Sequence, residues 1–387
     1  MIVRSTGQPN RASGAVGRWL LAAATCTTLF AIASRTMWAQ ILQSTGVDPT
    51  CNCRIVLHKV ASLGDNEDAV ALKPGSVIAH DAAGRFFAAR TSLESSIAVF
   101  GADGKPGSTF GRQGEGPGEL GGVRHARVTR GDSVLVMDYR KFTLFAPSGV
   151  PVRWGAVPNR VSAFRFAVLK SGYVVVNNYH PSHPSFILLN SKFALAREFG
   201  RRITADDRDD WDAIQYQIVG LDSGRFAAVR QYFNYEVEIW DTTGTLVRRF
   251  DRVPPWYRPW TEADKLANGE KTDRFPGIFG IHADAERLWI AARVPDPKWK
   301  QPAAQPSKDA RGREILSKPI SVDENDRRFD TVIEVLDMAT GRVLVSQRFD
   351  ALITQFTEGG LLYGINEAPS LLLRADAWRP EIVRVPK

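Results

Sequence analysis

Of the six histidines in this 387-residue chain, His80 and His282 hold like places in two similar segments, GSVIAHDAAGRFFAAR (75–90) and GIFGIHADAERLWIAAR (277–293). His125 stands near the start of a third related segment, about two positions earlier in register. Three imidazoles from separate elements form the ligand set of a catalytic zinc site that keeps one position open for water or substrate. That chemistry requires the fold to bring them together. His180 and His183 have a spacing that chelates metal on a helix, but Pro181 and Pro184 forbid the helix, so a surface loop is expected there. The acidic run Asp206, Asp207, Asp209 and Asp210 lacks the glycine-spaced alternation of a calcium loop and reads as the solvated start of a helix.

Other chemistries fail on their spacing. No Gly-x-Ser-x-Gly nucleophile elbow occurs. GEGPG (114–118) has no following Gly-Lys-Ser/Thr, which removes a phosphate loop and with it nucleotide binding. The net charge of +8 comes from 50 basic and 42 acidic side chains. Arg4, Arg11, Arg18 and Arg35 lie in the first 40 residues, which hold no acid, so only 46 basic side chains face the 42 acids beyond them. A balance that small leaves no footprint for nucleic acid. Among ten tryptophans, most fall in strand-like runs and are expected to pack. Trp256 and Trp260, with Tyr257, cluster in a Pro-rich stretch and are expected to offer an aromatic platform for a protein, peptide or glycan, with local packing as the alternative.

The elements that must position these residues are strands. From residue 54 onward the chain consists of short apolar runs broken by Gly, Asp, Asn and Ser, with little helical periodicity. A strand, turn, strand unit recurs six times: at 75–90, 127–139, 166–179, 217–232, 277–293 and 353–366. The first and fifth copies both end in Ala-Ala-Arg. A third strand closing on a polar turn follows each, as in SIAVFGADG (96–104) and FTLFAPSG (142–149), and a fourth follows in stretches such as LVRRF (246–250). Gly104 and Gly149, at like turns, are 45 residues apart. One four-stranded sheet of this kind cannot cover both of its faces, so such sheets must stack around an axis. The expected fold is therefore all-β, a six-bladed β-propeller. The last copy runs out of chain at EIVRVPK, while RIVLHKVASLG (54–64) has no blade of its own. That N-terminal strand is expected to complete the last blade and remove an open sheet edge.

The first 39 residues read as an export leader: arginines, then the apolar run Trp19 to Ala33, about 15 residues and short of the roughly 20 that span a bilayer. Cleavage after Ala33 or after Ala39 would fit, and any membrane attachment would come only through an uncleaved leader. Export to an oxidising compartment leaves Cys51 and Cys53 either as a local disulfide or as thiols near the processed N-terminus. The propeller is expected over 52–387, with insertions at 203–217, 251–276 and 295–329. The first of these opens on Thr204 ahead of an acidic turn and reads as a short capped helix.

FGRQGEGPGEL (110–120), with Phe110 and the glycines Gly111, Gly114, Gly116 and Gly118, resembles the NHL-type repeat and the exported bacterial six-bladed propellers related to it. There the chain crosses from the rim of one blade to the axis of the next through positive backbone angles suited to glycine. The resemblance implies fold and leaves activity open. A histidine trio at the axis is similar to the site of the NHL-related peptidyl-hydroxyglycine amidating lyases, although that family's remaining site residues are not matched. The sugar-lactone hydrolases of this fold use a Glu and Asn residues around an axial metal; Asn177, Asn178 and Asn366 stand at strand ends, but no inner-strand Glu aligns with them. The expectation is thus a monomeric, exported, non-enzymatic binding propeller of the cell envelope that needs no cofactor. The alternative is a lyase or hydrolase with zinc or calcium held by His80, His125 and His282.

Overall fold

The structure, a computed structural model, describes residues 40–44, 51–64, 70–158, 163–180, 183–202, 215–232, 234–258, 276–299, 307–308, 314–315, 326–367 and 372–386. The short apolar runs form antiparallel four-stranded meanders. Blade one is Val77–His80, Phe86–Ala89, Ile97–Phe100 and Pro106–Phe110. Blade two is Val123–Val128, Val134–Asp138, Lys141–Phe145 and Pro151–Ala156. Blade three is Ala163–Val168, Val174–Asn178, Pro184–Leu189 and Leu195–Arg202. Blade four is Tyr216–Gly220, Phe226–Arg230, Tyr235–Trp240 and Leu246–Arg252. Blade five is Gly277–Asp284, Arg287–Pro295, Phe329–Asp337 and Val343–Phe349. Blade six takes Gln355–Phe356, Leu362–Glu367 and Leu373–Arg384 from the end of the chain and Cys53–Leu63 from its beginning. The closing strand pairs antiparallel with its neighbour from Cys53↔Arg384 to Leu63↔Ala375, as expected from the unpaired run at 54–64.

The packing shows why six sheets make a ring. Among the described residues the buried apolar side chains fall into six clusters, one between each pair of consecutive blades. Phe87, Val136 and Phe145 join blades one and two; Phe142 and Phe166 join two and three; Phe186 and Phe226 join three and four. Phe250 and Ile290 join four and five, and Ile55, Trp289 and Phe356 join five and six. Leu63, Phe86 and Tyr363 then join six back to one. Because a blade is covered on both faces, its second strand is buried throughout rather than alternating: Val134–Asp138 and Val174–Asn178 are buried at every residue, with apolar runs that end in Asp138 and in Asn177 and Asn178. At the rim, Pro151–Ala156 alternates between half-buried and exposed.

Tight turns hold the register. Gly84, Gly172, Gly224 and Gly360 follow the inner strands with φ between 75° and 86°, and each donates its N–H to the carbonyl three residues back. In blade two Asp132 takes the left-handed place, with φ 61°, which Asp tolerates better than most side chains.

Three expectations change in detail. Gly111, Gly114 and Gly118 have positive φ, but Gly116 does not; it serves instead as a close-approach site, donating its N–H to Glu119 Oε2 at 2.8 Å. Strands reach into the expected insertions, since the inner strand of blade four begins at Tyr216 and 295 and 329 both lie in strands of blade five. The helix expected from Thr204 lies outside the described residues, as does the whole stretch 259–275. A fifth strand that the repeat pattern does not announce, Gln40–Ser44, runs parallel to Leu246–Arg252 on the outside of blade four. Cys51 and Cys53 are joined in a disulfide.

Candidate functional site at the propeller axis

At one end of the inner strands the blades leave a cavity of about 520 Å³. Every blade contributes: Ser76 and Val77 from blade one, Arg124 and His125 from two, Arg165 from three, Gln215 from the entry to four, Phe279 from five, and Thr354 and Gln355 from six. Arg90 and Arg293 reach it from the ends of second strands, and among its described lining residues there is no carboxylate. Four guanidiniums from four blades therefore converge on one space, and guanidinium stays charged at any physiological pH.

Each arginine has neighbours that position it. Arg90 sits directly after Phe86–Ala89 with φ 59°, a region that costs a side-chain-bearing residue about 1 kcal/mol or more. Its carbonyl accepts a hydrogen bond from the buried Ser76 hydroxyl at 3.0 Å, which holds the bend. Arg293 lies between the rings of Phe279 and Phe329, 4.5 and 4.3 Å from their centroids. Arg124 rests on Tyr139 at 3.9 Å and donates to the Ala163 carbonyl at 2.7 Å, tying blade two to blade three. Arg165 donates to Gln215 Oε1 at 3.3 Å. Cation–π contacts and carbonyls orient a guanidinium without neutralising it.

His125 is buried beside this group, edge-on to Phe166 at 5.3 Å. Burial pushes its pKa well below the usual histidine range, and the charges of Arg127, Arg165 and Arg90 push in the same direction. It is neutral at physiological pH.

His80 and His282 lie elsewhere. His80 lines a separate cavity of about 420 Å³ at the other end of the inner strands, with Asp81, Thr129, Glu358 and Arg379. His282 stacks on Phe356 at 5.8 Å. Both rings press on the Glu358–Gly360 turn of blade six: a Cβ at Gly359 would lie 3.1 Å from His80 Nδ1, and one at Gly360 would lie 2.6 Å from His282 Nε2. The expected trio is thus not assembled, and register explains it. His80 immediately precedes the residue that opens its turn, Asp81, while His125 stands four places before the corresponding Thr129. Three residues of strand amount to about 10 Å and reverse the face to which a side chain points. The described acidic residues that do cluster, Asp296, Asp330 and Asp350, already have cations against them: Lys298 at 2.7 Å from Asp350 and Arg348 at 2.5 Å from Asp330.

Between the two ends of the channel Arg127 of blade two reaches past blade one to Glu358 of blade six, with Nη1 to Oε1 at 3.0 Å. Burial raises the Glu358 pKa, and the Arg127 charge works against that rise. This pair joins the two ends of the channel; the His80 end is lined by acids and arginines together, and the described lining of the other end holds arginines.

The aromatic platform is a correction. Tyr257 is buried in the cluster between blades four and five, and Trp256 packs against the same cluster. Both rings lie 5.6 Å from Tyr235, and the Trp256 indole N–H donates to Glu334 at 3.1 Å. A buried carboxylate in blade five demands donors, and the tryptophan supplies one, so these rings pack rather than bind. Trp260 lies outside the described residues, as do Asp206, Asp207, Asp209 and Asp210. His180 and His183 stand 5.0 Å apart, with His183 Nδ1 3.6 Å from Glu198. Asn177 is buried and accepts the Tyr216 N–H at 2.9 Å, a link between blades three and four.

The arginines were the residues to find, and one signal pointed at them. The Ala-Ala-Arg endings of the first and fifth repeat copies are Arg90 and Arg293, and both line the cavity.

Burial has a consequence for pH. It lowers the His282 pKa to about 4, with the Arg127 charge helping and Asp284 opposing. Burial lowers His80 as well, with Asp81 opposing and Arg379 adding to the fall. Between pH 6.5 and 4 the unfolded chain therefore binds a proton that native His282 refuses, so stability falls as pH falls, by up to about 1.4 kcal/mol per unit, and the lowered pKa of His80 acts in the same direction. The urea midpoint is expected to drop between pH 7 and pH 5; an unchanged midpoint would mean that these rings are solvated in the native protein.

Fold and cavity together define a six-bladed β-propeller with a basic axial pocket. Among solved structures it is similar to an exported protein of Bacteroides fragilis, 11% identical, with a TM-score of 0.53 over 88% of this chain and all of that one. A protein of unknown function from Bacteroides caccae gives 11% identity and a TM-score of 0.43 over 79% of this chain and 98% of that one. A catalytically inactive virginiamycin B lyase from Staphylococcus aureus, with quinupristin, gives 10% identity and a TM-score of 0.43 over 84% and 99%. The first likeness speaks to fold alone, and the other two carry no argument. No protein-family model and no curated protein sequence matches the chain.

Proposed function

We propose that this chain is an exported, non-enzymatic binding propeller whose ligand occupies the axial cavity. The observation that carries the reading is the cavity itself: about 520 Å³, within the range of small-molecule sites, and lined from every blade with side chains that neighbouring blades hold in place. Turnover would call for an acid, base or nucleophile in that space. Among the described lining residues the titratable groups besides the arginines are His125, whose pKa burial holds well below the usual histidine range, and Tyr363, whose hydroxyl burial pushes up to about 12. The reading requires neither zinc nor calcium. Export rests on the arginine-led apolar leader in residues 1–39, with a disulfide between Cys51 and Cys53 in keeping with an oxidising compartment. A relation to the NHL-type propellers rests on the Phe110 to Leu120 segment.

The test is to fill the space. Gln355 is half-buried in the inner strand of blade six and lines the cavity. The mature protein, dialysed against a small-molecule extract of its source cells, is expected to retain a compound detectable by native mass spectrometry, and Gln355→Trp is expected to lose it. Retention of nothing by the wild type, or equal retention by both, would overturn the axial site.

A further inference from the structure

We infer that the outer half of blade two carries a second binding site, one that takes a neutral saccharide. It is independent of the axial cavity. Trp154, on the outer strand of blade two, is 49% exposed and lines a cavity of about 590 Å³, within the range of small-molecule sites. The crossing from blade one supplies Gln113 and Glu115 to the same cavity, and the turn between the second and third strands supplies Asp138, Arg140 and Lys141. Trp154 differs from the tryptophans that the fold consumes. Trp240, Trp256 and Trp289 each donate the indole N–H to a carboxylate, of Glu238, Glu334 and Asp284. The Trp154 indole makes no hydrogen bond and no aromatic or cation–π contact with a described residue. A bare ring in a polar cavity suits a sugar, whose C–H face packs on the aromatic surface while its hydroxyls turn to polar neighbours.

Those neighbours are fixed beforehand. Asp138 accepts the backbone N–H of Gly121 at 3.0 Å and those of Arg140 and Lys141 at 2.7 Å each, which uses three of a carboxylate's roughly four acceptor sites. The buried Lys141 ammonium donates to the carbonyls of Glu115 and Gly116 at 2.8 Å each, two of its three N–H groups. Arg140 pairs with Glu115. Acceptor and donor capacity thus both remain in the lining, and a hydroxyl, donor and acceptor at once, satisfies both. Charge decides against an ionic ligand: among the described lining residues two acids, Glu115 and Asp138, balance two bases, Arg140 and Lys141. Neither an anion nor a cation meets a net opposite charge there. Groups already held by the backbone lose little freedom on binding.

Titration calorimetry of the mature protein tests this, with neutral oligosaccharides of glucose, mannose, galactose and N-acetylglucosamine and with polygalacturonate and polylysine as charged counterparts. At least one neutral oligosaccharide is expected to bind, with an affinity that barely changes with added salt. Trp154→Ala should weaken it about tenfold or more, and Trp154→Phe should keep most of it. Gln113→Ala should weaken it about threefold, and thermal melts should not move, since Gln113 and Trp154 are both exposed. Gln355→Trp, which fills the axial cavity, should leave this binding intact, so the two sites stand or fall separately. No binding across the neutral panel, binding of a charged polymer alone, or equal binding by Trp154→Ala would overturn the saccharide site. So would a wild type that is dimeric by size-exclusion chromatography where Trp154→Ala is monomeric. Val150 and Val152 are exposed as well, and that result would mean that a second copy covers the row.

Discussion

Glu334→Ala is expected to destabilise the protein by about 3–5 kcal/mol, the usual range for breaking a buried ion pair by removing one partner. Glu334 and Arg252 are both 2% exposed in their side chains, with Nη2 and Oε2 3.1 Å apart. The carboxylate also accepts the Tyr235 hydroxyl at 2.9 Å, the Trp256 indole at 3.1 Å and the Ser346 hydroxyl at 3.1 Å. Tyr235 and Arg252 belong to blade four, Glu334 and Ser346 to blade five. One carboxylate thus ties the interface between two blades and the start of the Pro-rich stretch that holds Trp256. Alanine strips Arg252 of its neutralising partner in a place water does not reach, and withdraws the acceptor from three further donors.

With an unfolding entropy of roughly 2.1 cal/mol/K per residue over some 340 residues, that loss corresponds to a fall of about 4–7 °C in Tm. Glu334→Gln should do nearly as much harm, because the amide keeps an acceptor but not the charge. Arg252→Met combined with Glu334→Leu should recover part of the loss, since it removes both buried charges while leaving Tyr235, Trp256 and Ser346 without their acceptor. A thermal and urea comparison of the four proteins decides; a loss under about 1 kcal/mol for Glu334→Ala would mean the network is solvated.

The ring was legible because its determinants are local. A glycine or Asp in a left-handed turn after the inner strand of five blades, as at Gly84, Gly172 and Asp132, with Ala285 in that place in blade five, punctuates the chain at intervals that a sequence displays directly. The closing strand was legible for a global but simple reason: RIVLHKVASLG had no partners of its own and the last blade lacked one strand. The site was not legible in the same way. Whether a side chain faces the axis depends on its distance from the turn, and an offset of three residues carries His125 to one end while His80 stays at the other. Blade five adds a register shift between Ile278 and Gly280, so superposing repeats on their turns does not superpose their axial ends. The Ala-Ala-Arg endings were visible as a mark of repetition, but that Arg90 and Arg293 share a cavity follows only from ring closure. For Trp256 and Tyr257 a Pro-rich, polar neighbourhood leaves a binding platform and local packing equally open; what packs them is contact with Tyr235 and Glu334, from two different blades.

Ring closure itself sets the largest expected effect. A chain that begins at residue 65 lacks Cys53–Leu63, and Leu373–Arg384 would then be an open edge twelve residues long. Ile55 leaves the cluster between blades five and six, while Ala61 and Leu63 leave the one between six and one. Burying an Ile or Leu side chain is worth about 1.5–3 kcal/mol, so these contacts with the lost strand pairing approach the whole stability of a typical domain, about 5–15 kcal/mol. Ser62 and Lys59 would also abandon Asp376, to which their side chains lie at 2.5 and 2.9 Å. The truncated chain is expected to lose its cooperative thermal transition and to aggregate through the exposed edge, as read by calorimetry and size-exclusion chromatography. A peptide spanning 51–64 added in trans should restore a cooperative melt by supplying the missing strand. A chain that begins at residue 51 is the control: it loses only Gln40–Ser44, a fifth strand on the outside of blade four, and should melt within a few degrees of the chain that begins at residue 40. If the chain that begins at residue 65 melts as sharply and as high as that control, the ring is held by packing between blades alone, and the N-terminal strand is not its clasp.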